Sequence, residues 1–284
     1  MKNIICAIDY SSCSIVALKY ICELSKKMNT SIFVINVYNN SALGSLLEIP
    51  NILLDEVVQE KKTLKLKTFC LEHFGDSCKN LNLNYKAIQH NSIISAINIW
   101  SLKFNADLVV VGMKGVHKFK DFFIGNTTKS LIEKSVCPIL AVPESNIQKK
   151  VNTIVYATDF EEADIFAIKN LVEFAKFFNS TIKIIHIAKT IEKDCSDKME
   201  WFKELVLQHT NYKNLEFKVL FSEDILNTIH NYLEENNADI LAMLERKKPD
   251  FLNKIIYIDL VKTFEAFSNI PLICYNTKNS IFTK

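Results

Sequence analysis

Glycine is scarce in this chain, with five in 284 residues. Three of them, Gly112, Gly115 and Gly125, fall within residues 106–143, and the part of the chain after residue 150 contains none. Glycine allows positive φ and lets another group approach the backbone closely. The chain therefore concentrates its backbone freedom at one predicted strand–loop–helix corner. In an open α/β sheet, such a corner is where a phosphate group binds.

Arginine is scarcer still, because Arg246 is the only one, and the formal net charge is +2. Arginine is the residue that reads phosphates and base edges through paired hydrogen bonds. Its near absence, together with the balanced charge, argues against a nucleic-acid partner. The same balance predicts no membrane-surface partner.

Long apolar runs are also missing, since none reaches the roughly 18 residues that a membrane-spanning helix needs. The first residues, MKNIICAIDY, reach Asp9 too soon for the apolar core of a signal peptide. The eight cysteines include no CxxC pair, so neither a zinc site nor a structural disulfide is expected. We therefore expect a cytoplasmic protein.

The common catalytic motifs are absent: the sequence contains no GxSxG, no HExxH and no GxxxxGK[ST]. No nucleophile–base arrangement stands out either. We predict no catalytic residues, no metal-ligand residues and no enzyme activity. Any slow hydrolysis of ATP would be incidental, because the lysine of a phosphate-binding loop is missing.

Alternating strand and helix patterns run through the whole chain. Buried strands are predicted at 3–8, 31–38, 83–89, 106–112 and 138–143, and the second half repeats them at 153–160, 181–188, 215–221, 238–244 and 270–276. Such alternation predicts an open parallel sheet with helices on both faces. The fold class is α/β, with two tandem five-stranded domains at 1–145 and 151–277.

The glycine corner carries a recognisable spacing, G-x2-G-x9-G, followed by the small polar residues Asn126, Thr127 and Thr128. With Asp9 after the first strand and the internal repeat, the chain resembles a tandem member of the universal stress protein family. The resemblance implies an adenine nucleotide α-hydrolase-like sheet with strand order 3-2-1-4-5. It also implies an intramolecular pseudo-dimer joined through the last strands, PILAVP and PLICYN. It leaves a further homodimer and the protein partners open.

The resemblance further implies a stress-response regulatory protein that binds ATP, or a related adenine nucleotide, in the first domain. Mg²⁺ would accompany the phosphates. Carried over residue by residue, the adenosine end would meet Asp9 and the backbone of Val37; the ribose and phosphates would meet Val111, Gly112 and Gly115; and the helix N-terminus would hold phosphates through Gly125, Asn126, Thr127 and Thr128.

Other interpretations remain open at this stage. The glycines could form a tight turn without a ligand, and Asp9 could be a cap or turn residue, as we expect for Asp159. The family often has serine or threonine where this chain has Asn126, and the second domain lacks the glycines altogether. The main alternative is a universal stress protein that binds no nucleotide and acts only through protein–protein interaction. A third is an enzyme of the wider α-hydrolase-like group. His186, in an apolar strand, is expected to be a core histidine.

Overall fold

The computed structural model describes residues 1–39, 51–74, 80–113, 126–145, 150–189, 194–245 and 269–279, without the side chains of 51–54. The strands are β1 (Asn3–Ala7), β2 (Ser31–Tyr38), β3 (Asn82–Gln89), β4 (Leu108–Met113), β5 (Ile139–Pro143), β6 (Thr153–Ala157), β7 (Thr181–Ala188), β8 (Leu215–Phe221), β9 (Ile240–Glu245) and β10 (Leu272–Asn276). The helices are α1 (Ser12–Met28), α2 (Asn51–Phe74), α3 (Ile93–Lys103), α4 (Asn126–Lys134), α5 (Glu162–Ala175), α6 (Cys195–His209) and α7 (Ile225–Glu235).

These strands form one sheet, in the order β3-β2-β1-β4-β5-β10-β9-β6-β7-β8. Each half has the predicted order 3-2-1-4-5, so the α/β class with two tandem units is confirmed. β5 and β10 pair antiparallel at the centre, with Ala141 opposite Leu272 and Ile139 opposite Cys274. The two edges that could have paired between molecules therefore meet within one chain. The domain boundaries at 145 and 151 stay a prediction.

The core lies on both faces of this sheet. One buried cluster packs under α1, α2, α5 and α6, and the other packs under α3, α4 and α7. The central strands are buried on both faces, as expected for parallel strands covered by helices, and for this reason they read as continuous apolar runs.

The repeated Ala-Asp pair before β4 and β9 has a structural role. Asp107 accepts hydrogen bonds from the backbone N–H groups of Lys2 and Asn3. Asp239 accepts the equivalent bonds from Asn152 and Thr153, at 2.6 and 2.9 Å. Each aspartate therefore ties the start of its half's first strand to the start of its fourth.

In the described parts of the chain, the left-handed backbone positions are filled without glycine. Tyr10 and Phe160 have φ of 66° and 65° at equivalent turns, and Asn29 and Asn179 have φ of 46° and 56° after equivalent helices. Asparagine tolerates this region because its short polar side chain can bond locally. The chain can therefore remain poor in glycine and still make these turns.

Candidate functional site

A cleft opens at the carboxyl ends of β1, β2 and β4, where the sheet order reverses direction. In open α/β sheets this switch point is the usual ligand site. The space inside the cleft that a water-sized sphere can occupy is about 130 Å³. The lining residues are Ala7, Ile8, Asp9, Ser14, Ile35, Asn36, Val37, Ile93, Ile97, Val111, Gly112, Thr127, Thr128 and Leu131.

Most of the residues named from the sequence meet at this cleft. Its lining includes Asp9, Val37, Val111, Gly112, Thr127 and Thr128. Asn126 is the exposed first residue of α4. Gly115 and Gly125 lie outside the described residues. The structure thus brings residues from four separate segments to one place, while their role in binding stays a prediction.

The cleft also contains residues that the sequence reasoning missed. Ile93 and Ile97 come from α3 and add apolar surface to the cleft that Val37 also lines. Their spacing of four residues was visible as a helical face, but nothing in the sequence distinguished a cleft wall from ordinary core. Apolar walls with a few polar groups are typical of sites that take a flat, largely apolar ring system.

Two helices begin at the cleft. Ser11 caps α1, and its hydroxyl accepts from the N–H of Ser14, a lining residue, at 3.3 Å. The first turn of α4 contributes Thr127 and Thr128, of which Thr128 is 7% exposed. Helix N-termini carry unpaired N–H groups and a partial positive charge, so both favour an anion on this side of the cleft.

Asp9 is held as a carboxylate. Burial raises the pKa of Asp9, but the hydroxyl and backbone N–H of Ser11, with help from Ser14, outweigh that effect and place this pKa below its usual value. The Ser11 N–H lies 3.0 Å from Oδ1. Asp9 therefore bonds the turn that follows β1, as the alternative interpretation expected. The same residue lines the cleft.

Gly112 has a packing reason as well. A Cβ at this position would lie 2.4 Å from the carbonyl carbon of Cys13 and 2.6 Å from the nitrogen of Ser14. Both atoms belong to the backbone of α1 and cannot move without shifting the helix. Gly112 therefore lets the first turn of α1 lie directly over β4, which places the Ser14 side chain at the cleft.

The second half builds the equivalent corner differently. By strand register, Leu244 stands where the first half has Gly112, and Asp164 stands where it has Ser14. Leu244 is buried in the core, and Asp164 is fully buried. α5 accordingly lies less closely over β9 than α1 lies over β4.

Asp164 is the centre of a buried polar network in that corner. Its carboxylate accepts from the hydroxyls of Tyr156 and Thr158, at 2.7 and 2.8 Å, and from the N–H groups of Asp159 and Glu161. Burial raises the pKa of Asp164 to about 7, although these donors oppose the shift. The side chain of Asp164 thus accepts the hydrogen bonds that the turn after β6 donates.

His186 is a core histidine, as predicted. It is 3% exposed, and its Nδ1 lies 2.8 Å from the carbonyl oxygen of Thr158. The equivalent residue of the first half is Asn36, whose amide donates to the carbonyl of Ile8 at 2.8 Å. Both side chains link the ends of the first two strands in their half.

Beside the cleft, the Cys13 thiol lies 3.5 Å from Glu144 Oε2. Burial raises the pKa of Cys13, and the Glu144 carboxylate raises it further. A thiol with a raised pKa is a poor nucleophile.

Across the described ranges, no group of three or more His, Cys, Asp or Glu residues is placed to hold a metal ion, and no described helix could cross a bilayer.

The fold and cleft define a tandem α/β protein with a ligand-type cleft at the sheet switch point of its first half. The model of the universal stress protein family matches residues 1–143, so the chain belongs to that family. A universal stress protein of Bacillus subtilis (strain 168), YxiE, is 25% identical over 147 residues, which are 50% of this chain and 98% of that protein.

Solved structures support the fold over the whole chain. A universal stress protein from Archaeoglobus fulgidus DSM 4304 has a TM-score of 0.68 at 18% identity and covers 96% of this chain and 98% of its own. A putative universal stress protein from Pseudomonas aeruginosa UCBPP-PA14 has a TM-score of 0.59 at 10% identity, covering 100% and 96%. At these identities the likeness concerns the fold alone.

Proposed function

We propose that this universal stress protein is a regulatory protein that binds ATP, or a related adenine nucleotide, in the cleft of its first half. The observation that carries the proposal is the convergence of an apolar slot and two helix N-termini at one switch point. The slot, with Ile93, Ile97 and Val37, suits the adenine ring. The first turns of α1 and α4 suit the phosphates.

The roles along the nucleotide follow from this arrangement. Asp9, held as a carboxylate, suits the ribose hydroxyls, because a carboxylate accepts hydrogen bonds and repels phosphate. Thr127 and Thr128 suit a phosphate, since they supply hydroxyls at the start of α4. Mg²⁺ enters the proposal as the ion that accompanies the phosphates of ATP.

A regulatory role fits the chemistry of the cleft. Among the described lining residues, Asp9 is the titratable one, and its lowered pKa makes it a weak general base near neutral pH. Binding without efficient turnover is therefore the behaviour that these residues support. The expected cytoplasmic location belongs to the same proposal.

One nucleotide per chain is expected. In the second half, Leu244 replaces the glycine over which the helix lies, and Asp164 places a carboxylate at the turn. The carboxyl group of Asp164 already takes up the hydroxyl and N–H donors of this turn, so they are not available to a phosphate. Because the two corners differ in this way, we expect nucleotide binding in the first half only and a structural role for the second half.

Binding is tested by purifying the protein without added nucleotide, extracting it with acid and identifying any released compound, then titrating ATP by calorimetry. We expect one site per chain. If no nucleotide co-purifies and millimolar ATP gives no heat, the proposal is wrong. The alternative of a protein that acts only through protein partners would then stand, as Asn126 and the glycine-free second half would suggest.

A further inference from the structure

The carboxyl end of α4 is bonded in an unusual way. The last carbonyls of a helix have no partner within it. The N–H of Val136, which could return to the carbonyl of Ile132, donates instead to Asn98 Oδ1 at 3.1 Å. The Ile132 carbonyl accepts from the amide of Asn276, at 2.7 Å. Asn276 belongs to β10, so the second half supplies this bond.

A second asparagine of the same segment completes the contact. The Ser135 carbonyl accepts from the amides of Asn276 and Asn279, at 3.1 and 3.0 Å. Asn276 is 3% exposed and Asn279 is fully buried. They also bond each other, because the N–H of Asn276 donates to Asn279 Oδ1 at 2.9 Å. We call Asn276 and Asn279 the asparagine clamp.

Among the described residues, the first half has no equivalent of Asn276. In strand register, Pro143 pairs with Met113 as Asn276 pairs with Glu245. Pro143 therefore occupies the place of Asn276, and proline has no side-chain donor. Asn276, in the second half, thus donates hydrogen bonds to α4 and the residue after it, in the half that contains the cleft.

The clamped end of α4 lies close to the cleft. Thr128 and Leu131 line the cleft, and Ile132 follows Thr128 by four residues, about 6 Å along the helix axis. A short helix moves as a unit, so fixing its last carbonyls fixes the direction of its first turn.

We propose that the second half is a positioning partner of the binding site: the asparagine clamp holds α4 so that its N-terminus faces the bound anion. Asn276 and Asn279 are then positioning residues. This inference rests on the proposed nucleotide function, and it gives the glycine-free half a defined task in that function.

The test compares Asn276→Ala with a matched variant, Asn236→Ala. Asn236 is the C-cap of α7, and its amide donates to the Tyr232 carbonyl at 2.8 Å, so this variant removes the same kind of bond from a helix outside the cleft. By calorimetry we expect Asn276→Ala to bind ATP about five- to tenfold more weakly, the effect of one or two buried hydrogen bonds. Asn236→Ala should bind as the wild type does.

Hydrogen exchange without nucleotide gives a second readout. Asn276→Ala should speed exchange in α4, and Asn236→Ala should speed it in α7 only. Equal exchange of α4 in wild type and Asn276→Ala, or equal affinity of both for ATP, would overturn the clamp. If Asn276→Ala does not fold, Asn279→Ala, which removes one donor to Ser135, takes its place with a smaller expected loss.

The two proposals fail in distinguishable ways. A wild-type protein that binds no ATP contradicts the nucleotide function. In that case, faster α4 exchange in Asn276→Ala would still show that the second half holds this helix. Unchanged exchange of α4 in Asn276→Ala would contradict the proposed role of the asparagine clamp as well.

Discussion

Thr128, which lines the cleft, can be tested by a substitution that keeps the shape of its side chain. Valine has nearly the same shape as threonine but no hydroxyl, so Thr128→Val removes a hydrogen-bond partner at the start of α4. We expect calorimetry to give an ATP affinity about fivefold lower, with the melting temperature nearly unchanged. Thr30→Val is the matched control, because the Thr30 hydroxyl bonds Ser25 at 3.1 Å, away from the cleft. An unchanged affinity in Thr128→Val would remove this residue from the site.

Gly112 shows how one residue can serve packing and binding together. Its replacement by alanine would press a Cβ into the backbone of α1 at Cys13. The second half forms the same strand order without any glycine, which argues that the fold does not need these glycines and that a ligand explains them better. For Gly112 the close approach of α1 is a reason independent of any ligand, so loss of binding in a Gly112 variant would not separate the two explanations.

Asp164 predicts a pH dependence of stability in the second half. Burial raises the pKa of Asp164 from 3.8 to about 7, so the folded state holds a proton that the unfolded state releases. This contribution is complete below about pH 4 and is lost as the pH rises through about 7, with a slope that approaches about 1 kcal/mol per pH unit. Glu161, whose pKa is also raised by burial, acts in the same direction.

The pH dependence is measured by denaturant unfolding between pH 4.5 and pH 7.5, a window that follows from these pKa values. Asp164→Asn cannot titrate, so its stability should fall much less steeply across this window than that of the wild type. Glu162→Gln, an exposed change in the same helical turn, should keep the wild-type slope. Equal slopes in wild type and Asp164→Asn would contradict the prediction.

At the scale of elements, two helices that begin with serine caps can be compared. Ser11 caps α1 at the cleft, and Ser92 caps α3, with its hydroxyl accepting from the N–H of Ser95 at 3.3 Å. Ser11→Ala and Ser92→Ala should each lower the free energy of unfolding by about 1 kcal/mol.

These two variants should differ in binding. Ser11→Ala also removes the hydroxyl that bonds Asp9, and it loosens the first turn that holds Ser14 at the cleft. Calorimetry should therefore show a larger loss of ATP affinity for Ser11→Ala than for Ser92→Ala, because Ser92→Ala loosens only the start of the apolar wall at Ile93. If both bind ATP as the wild type does, α1 does not contribute to the anion site.

At the scale of the whole molecule, the antiparallel pairing of β5 with β10 closes the central edges within one chain. We expect light scattering to give the mass of a single chain, 32.6 kDa, with ATP bound at one site. A dimer mass at low protein concentration would mean that another surface, outside this seam, pairs two chains. The homodimer that the family resemblance left open would then be correct.

The sequence by itself determined the fold class, because alternating apolar runs and helical spacings are local patterns that each half repeats. The family resemblance named Asp9, Val37 and Gly112, and the structure places all three at one cleft, since the carboxyl ends of parallel strands meet at one edge. Element ends differ slightly: the strand expected at 3–8 ends at Ala7. The helix expected at 52–78 is described from Asn51 to Phe74.

Only the tertiary structure decided which distant residues meet, both within the first half and between the halves. The α3 wall of the cleft, the contact of Gly112 with α1 and the clamp on α4 join residues far apart in sequence, up to 144 positions for Asn276 and Ile132. No local pattern carries such information, because a buried asparagine in a strand and an isoleucine in a helix look like any others. Packing and hydrogen-bond geometry in three dimensions pair them.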